Sequence, residues 1–102
     1  MRVVWSPLAL ERVQAIAEEI VGERPATAVK WVRILFTRVH QLRQYPQSGR
    51  IALDRARPEI RQLPCPPYRI IYRVEGARFL ILTVRHGRQE ELDAAAVEGM
   101  DT

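Results

Sequence analysis

Apolar residues at three- and four-residue steps (Leu8, Ala9, Val13, Ile16, Ala17 and Ile20) predict an amphipathic helix running to about Val21. Ser6-Pro7 supplies an N-cap and a proline at the first helical position, and Gly22 a stop. Pro25 opens a longer helix in which Ala28, Val29, Val32, Leu35, Phe36, Val39 and Leu42 form one stripe. Tyr45-Pro46 closes it, because a residue before proline is pushed out of helical geometry. So short a connection between two helices predicts an antiparallel hairpin. Ahead of it, residues 2–5, Arg-Val-Val-Trp, read as a short strand.

Past Pro46 the period changes from helical to alternating. Pro46 to Arg50 is turn-forming, residues 51–58 read as a loop with room for some extended structure, and Ile60 to Leu63 reads as the next strand. Pro64-Cys65-Pro66-Pro67 reads as a connection, Tyr68 to Glu75 as a strand, Gly76-Ala77 as a turn and Arg78 to His86 as the last strand. Alternation puts Tyr68, Ile70, Tyr72 and Val74 on one face together with Leu80, Leu82 and Val84, the face expected to meet the helices. Arg69, Ile71, Arg73, Ile81, Thr83 and Arg85 are expected on the other. Residues 90–97 can form a short final helix. These elements predict one α+β domain spanning residues 1–102: an N-terminal strand, then a helix hairpin packed on a mainly antiparallel four-stranded sheet. Its ordered core is expected over about 2–90.

Charge is spread unevenly. Residues 24–73 hold ten Arg and one Lys against Asp54 and Glu59, 11 − 2 = +9, whereas residues 89–102 hold five acids and no base, −5. A basic body with an acidic tail suits phosphate polymers or an acidic protein partner. No apolar run reaches the roughly 18 residues of a membrane helix and no secretion signal opens the chain, so a cytoplasmic protein without membrane contact is expected. Cys65 is the single cysteine, which excludes an internal disulfide, and two histidines without metal-ligand spacing give no metal site. No cofactor is expected. Trp5 and Trp31 are expected to pack around the hairpin, and His40 to lie on the surface of the second helix.

The order of elements, with Trp5-Ser6-Pro7, Pro46-x-x-Gly49-Arg50, Ile60-Arg61-x-Leu63, Pro67-Tyr68-Arg69-Ile70-x-Tyr72 and Val84-Arg85-His86-Gly87-Arg88, resembles the RelE/ParE family of bacterial type II toxins over about residues 2–90. The resemblance implies a growth-arresting toxin with an adjacently encoded antitoxin, in a toxin–antitoxin hetero-oligomer. An antitoxin segment of that kind folds as it binds, meeting basic surface with acids.

Within the family the resemblance is closest to the ParE-like branch, through His86-Gly87-Arg88. It implies a binding inhibitor that poisons DNA gyrase, with Arg61, Arg69, Arg73, Arg85 and Arg88 as the residues meeting target or antitoxin, since guanidinium groups form paired hydrogen bonds to carboxylates and phosphates. The RelE-like alternative is a metal-independent, ribosome-dependent mRNA endoribonuclease, which requires a base, cations at the phosphate and an acid. Glu59, Arg69 and His86 are its candidates; the RelE pattern's lysines and C-terminal tyrosine are missing, because Lys30 is the single lysine and no tyrosine follows Tyr72. A third reading is an inactive family member that only binds its antitoxin.

Overall fold

The computed structural model describes residues 2–53, 56–87 and Val97. Strand β1 (Arg2–Trp5) leads into helices α1 (Pro7–Glu23) and α2 (Pro25–Gln44), followed by β2 (Arg50–Ile51), β3 (Ile60–Cys65), β4 (Tyr68–Glu75) and β5 (Arg78–His86). The five strands form one sheet in the order β1-β5-β4-β3-β2; β1 runs parallel to β5 and the other neighbours are antiparallel. The expected architecture is therefore present, with β2 as a fifth strand where the turn ending at Arg50 meets the segment from Ile51.

Local chemistry sets the helix ends. Ser6 is extended and its Oγ accepts from Ala9 N at 3.0 Å, with Pro7 as the first helical residue. Gly22 does not stop α1. Pro25 does: it holds Arg24 extended (φ −147°, ψ 91°), so that this one residue ends α1, donating its N–H to Ile20 O at 2.7 Å, and also begins α2. Tyr45, ahead of Pro46, leaves α2 in the same way. β3 continues through Pro64 to Cys65, where a connection was expected. β2 pairs only with Arg61 and Gln62, so beyond them β3 is an edge, where proline is tolerated.

Two apolar layers flank the sheet. Ile16, Trp31, Leu35, Val39 and Leu42 of the helices meet Leu63, Cys65, Ile70, Tyr72, Phe79, Ile81 and Val84. On the far face Ile60, Ile71, Leu80 and Leu82 cluster with Val97. The expected partition of β5 thus fails for Leu80, Leu82 and Ile81. A β-bulge is the cause: Tyr72 pairs with Ile81 but Ile71 pairs with Thr83, so Leu82 has no partner on β4 and the alternation changes phase there. The Leu82 carbonyl accepts from Ser6 Oγ at 2.7 Å, and Ser6 N donates to Ile81 O at 3.0 Å, which ties the start of α1 to the bulge. The stripe expected on α2 also divides, with Ala28, Leu35, Val39 and Leu42 buried while Val29 and Phe36 are exposed. Trp31 is buried against the sheet, and Trp5 packs at 5.6 Å on Phe36. Arg88, the acidic tail and all of the expected final helix except Val97 lie outside the described residues.

Candidate interaction surface

The turn Pro46–Arg50 is held in place by β4. Tyr72 Oη donates to Pro46 O and accepts from Gly49 N, both at 3.0 Å, and Arg61 Nη1 donates to Gly49 O at 2.9 Å. A Cβ on Gly49 would stand 2.5 Å from Tyr72 Oη and 2.7 Å from Gln62 O, so only glycine fits. Burial pushes the Tyr72 phenol up, keeping it a neutral donor. This latch gives the Pro-x-x-Gly-Arg and Tyr-Arg-x-x-Tyr segments a shared structural reason. It also assigns Arg61 a role within the chain: Arg61 lies opposite Tyr72, on the helix side of the sheet.

Arg69, Arg73 and Arg85 share the far face. Arg69 stands directly across from Arg85 in the ladder, and Gln62 Oε1 accepts from Arg69 Nη1 at 2.9 Å. Like charges so placed repel each other unless an acceptor or a counter-charge lies between them. Farther along β4, Arg73 binds Glu75 Oε1 through Nε (2.9 Å) and Nη2 (2.6 Å), and Arg78 binds Glu75 Oε2 at 3.1 Å. The Arg73 hydrogen bond and the second arginine hold the Glu75 carboxyl below the ordinary range, outweighing its partial burial. The arginine face therefore has one end organised around Glu75 and another where Arg69 and Arg85 stand opposite each other beside Gln62, with Ile71 and Leu82 between them. Reading the sequence did not single out Gln62 or Glu75. Both follow from strand register, since Gln62 and Glu75 share the arginines' side of the sheet.

Glu59, Arg69 and His86 do not converge. Glu59 O accepts from Val74 N at 2.8 Å, whereas His86 pairs with Tyr68, six residues along β4, or roughly 20 Å away. His86 faces the helix side, edge-on to the Tyr68 ring at 5.4 Å, which in turn meets Trp31 at 5.4 Å; Arg69 points to the opposite side. Glu59 is bound to Arg57 at 2.6 Å, and that hydrogen bond lowers its pKa, which weakens it as a base. Cys65 is buried, and desolvation raises its thiol pKa, so a thiolate is disfavoured. Among the described residues no helix is long and apolar enough to cross a membrane, and no group of His, Cys, Asp and Glu is arranged to hold a metal.

Comparison with known proteins agrees with this architecture. The candidate toxin Y4kP of Sinorhizobium fredii (strain NBRC 101917 / NGR234) is 35% identical over 92 residues, covering 87% of this chain and 91% of the relative. A solved chain of the chromosomal ParDE toxin–antitoxin system from P. aeruginosa superposes with a TM-score of 0.70 at 26% identity, over 84% of this chain and 95% of that one. The sequence profile of the ParE toxin of the type II toxin–antitoxin system parDE matches residues 3–91, and with this fold and these relatives the chain belongs to the ParE toxin family.

Proposed function

We propose that this ParE-type toxin arrests growth by binding DNA gyrase and trapping its cleaved-DNA complex, and that a cognate antitoxin, encoded beside it, neutralises it. The observation that carries the reading is the cross-strand Arg69–Arg85 pair beside Gln62, in a chain whose Glu59 and His86 are too far apart to act on one phosphate. Two guanidinium groups on neighbouring strands can engage adjacent carboxylates or phosphates through paired hydrogen bonds without bond cleavage. The basic body suits an acidic antitoxin segment that folds on contact. Toxin and antitoxin then form a hetero-oligomer in the cytoplasm.

The test is purified chain added to gyrase, with supercoiling and trapped DNA breaks as readouts. Inhibition with accumulation of cleaved complexes is expected. Arg69→Ala together with Arg85→Ala should weaken it by about tenfold or more, as loss of charge-assisted hydrogen bonds does. Rapid loss of translation with codon-positioned mRNA cuts, and gyrase unaffected, would replace this reading with the ribosome-dependent nuclease. A soluble, folded chain with no effect on growth would leave only antitoxin binding.

A further inference from the structure

Helix α2 presents a polar face outside its contacts with the sheet and with α1. Lys30, Arg33, Ile34, Thr37, Arg38 and Gln41 line a recess along it. They recur at three- and four-residue steps, as one stripe down a helix does, and the stripe is about 16 Å long from Lys30 to Gln41. The whole of α2 carries four cations and no acid, and no carboxylate lines the recess. Burial and then Glu19 push the Tyr68 phenol up, which places that acid by Tyr68, at the end of the stripe nearest the hairpin turn.

Other arginines of this chain meet a carboxylate where they sit: Glu59 binds Arg57, and Glu75 binds Arg73 and Arg78. Lys30, Arg33 and Arg38 make no ion pair with a described residue. Lys30 and Arg33 are exposed. Arg38 is half-buried and close enough to the Cys65 thiol to oppose the upward pull of burial on its pKa, which sets the stripe along the β3 edge. Like charges three residues apart on a helix repel, so Lys30 and Arg33 carry a cost that an anion lying over them offsets.

We infer that this stripe is a phosphate-binding surface that takes the backbone of duplex DNA without regard to sequence. Affinity for a duplex comes chiefly from cations laid along its phosphates, and a length of about 16 Å spans about five base pairs. The other occupants fit less well. A protein partner needs apolar anchors at the centre of its interface, and the recess offers Ile34 alone. Single strands need aromatic faces for stacking, and no aromatic residue lines the recess. Duplex RNA is held by its shape over about 16 base pairs, roughly three times the length of the stripe. The stripe belongs to the helix layer and Arg69 and Arg85 to the far face of the sheet, so the inference stands independently of the gyrase reading.

Fluorescence anisotropy of a labelled DNA duplex of arbitrary sequence, titrated with the isolated full chain over a KCl series, tests it without gyrase present. Three phosphates neutralised by Lys30, Arg33 and Arg38 should give a slope of about −2.7 for log affinity against log salt. Arg33→Gln together with Arg38→Gln should bring the slope to about −0.9 and weaken binding by about tenfold or more at low salt. Arg2→Gln together with Arg12→Gln removes the same charge from exposed positions elsewhere and should leave the slope unchanged. Denaturant midpoints confirm that each variant is folded. Absence of binding at low salt, a slope indifferent to the α2 pair, or an equal loss in the control pair would overturn the inference. So would tighter binding of duplex RNA or of a single strand. Displacement of the duplex by polyglutamate at the same charge concentration would assign the stripe to an acidic protein instead.

Discussion

Ser6 and Tyr72 each make two connections through one oxygen. Ser6 Oγ accepts from Ala9 N and donates to Leu82 O, so replacing it with alanine removes an N-cap and leaves a buried carbonyl without its partner. Ser6→Ala should therefore cost about 2–3 kcal/mol, read from denaturant midpoints, rather than the roughly 1 kcal/mol of a cap alone. The cap was legible in Ser6-Pro7. The second bond was not, because its acceptor lies 76 residues away and is exposed by a bulge. Tyr72→Phe should destabilise by about 1–3 kcal/mol, since Gly49 N loses its acceptor in a buried site. Gly49→Ala should cost more than Tyr72→Phe in the same measurement, because the added methyl meets the Gln62 carbonyl as well as the phenol. A Tyr72→Phe variant with wild-type stability would mean that the latch contributes nothing.

Strand β5 shows what one extra residue can do. From the Gly76-Ala77 turn, Glu75 pairs with Arg78 and the register runs regularly to Tyr72 and Ile81; the bulge at Leu82 then brings Arg85, instead of Val84, opposite Arg69. Without the bulge, Arg85 would share the side of Phe79 and Ile81 and point into the helix-side core. Deleting Leu82, by contrast, takes out the extra residue and keeps Arg85 opposite Arg69, so the near-ultraviolet circular dichroism signal and cooperative unfolding should persist, with stability lowered by about 2–5 kcal/mol for the lost buried side chain. Loss of the cooperative transition would show that the sheet needs the bulge itself and not only the register it sets. The helices were more legible, because their ends are written in prolines and their buried rows in three- and four-residue steps. Even there, the exposure of Val29 and Phe36 follows from how wide a stripe the sheet can cover, which the periodicity of α2 alone does not state.

For the chain taken together, acid sensitivity should report the paired carboxylates. Glu75 and Glu59 are held below the ordinary value of 4.5 by Arg73 with Arg78 and by Arg57 respectively. Each binds a proton more readily once unfolded, so the stability they contribute is fully present above about pH 4.5 and is lost as pH falls through the lower folded-state values. Denaturant midpoints measured from about pH 6 down to about pH 3 should fall, and Glu59→Gln with Glu75→Gln should flatten that decline. An unchanged slope in the double variant would assign acid sensitivity to other carboxylates. The same pairs shape the interaction surface, since Glu75 holds Arg73 and Arg78 at one end of the arginine face.

Local signals in the chain were sufficient for the helix hairpin, the two long strands and the turn between them, because capping, proline geometry and alternation act over a few residues. They also carried the family, through the order and spacing of short motifs. Which side chains face which layer was settled by long-range pairing: the bulge at Leu82, the reach of Ser6 across the sheet and the short strand β2 exist because distant segments satisfy one another's hydrogen bonds. The arginine face belongs to this second group. Its members were visible as residues, but the pairing of Arg69 with Arg85, and the separation of Glu59 from His86, come from register, which strand periodicity does not determine.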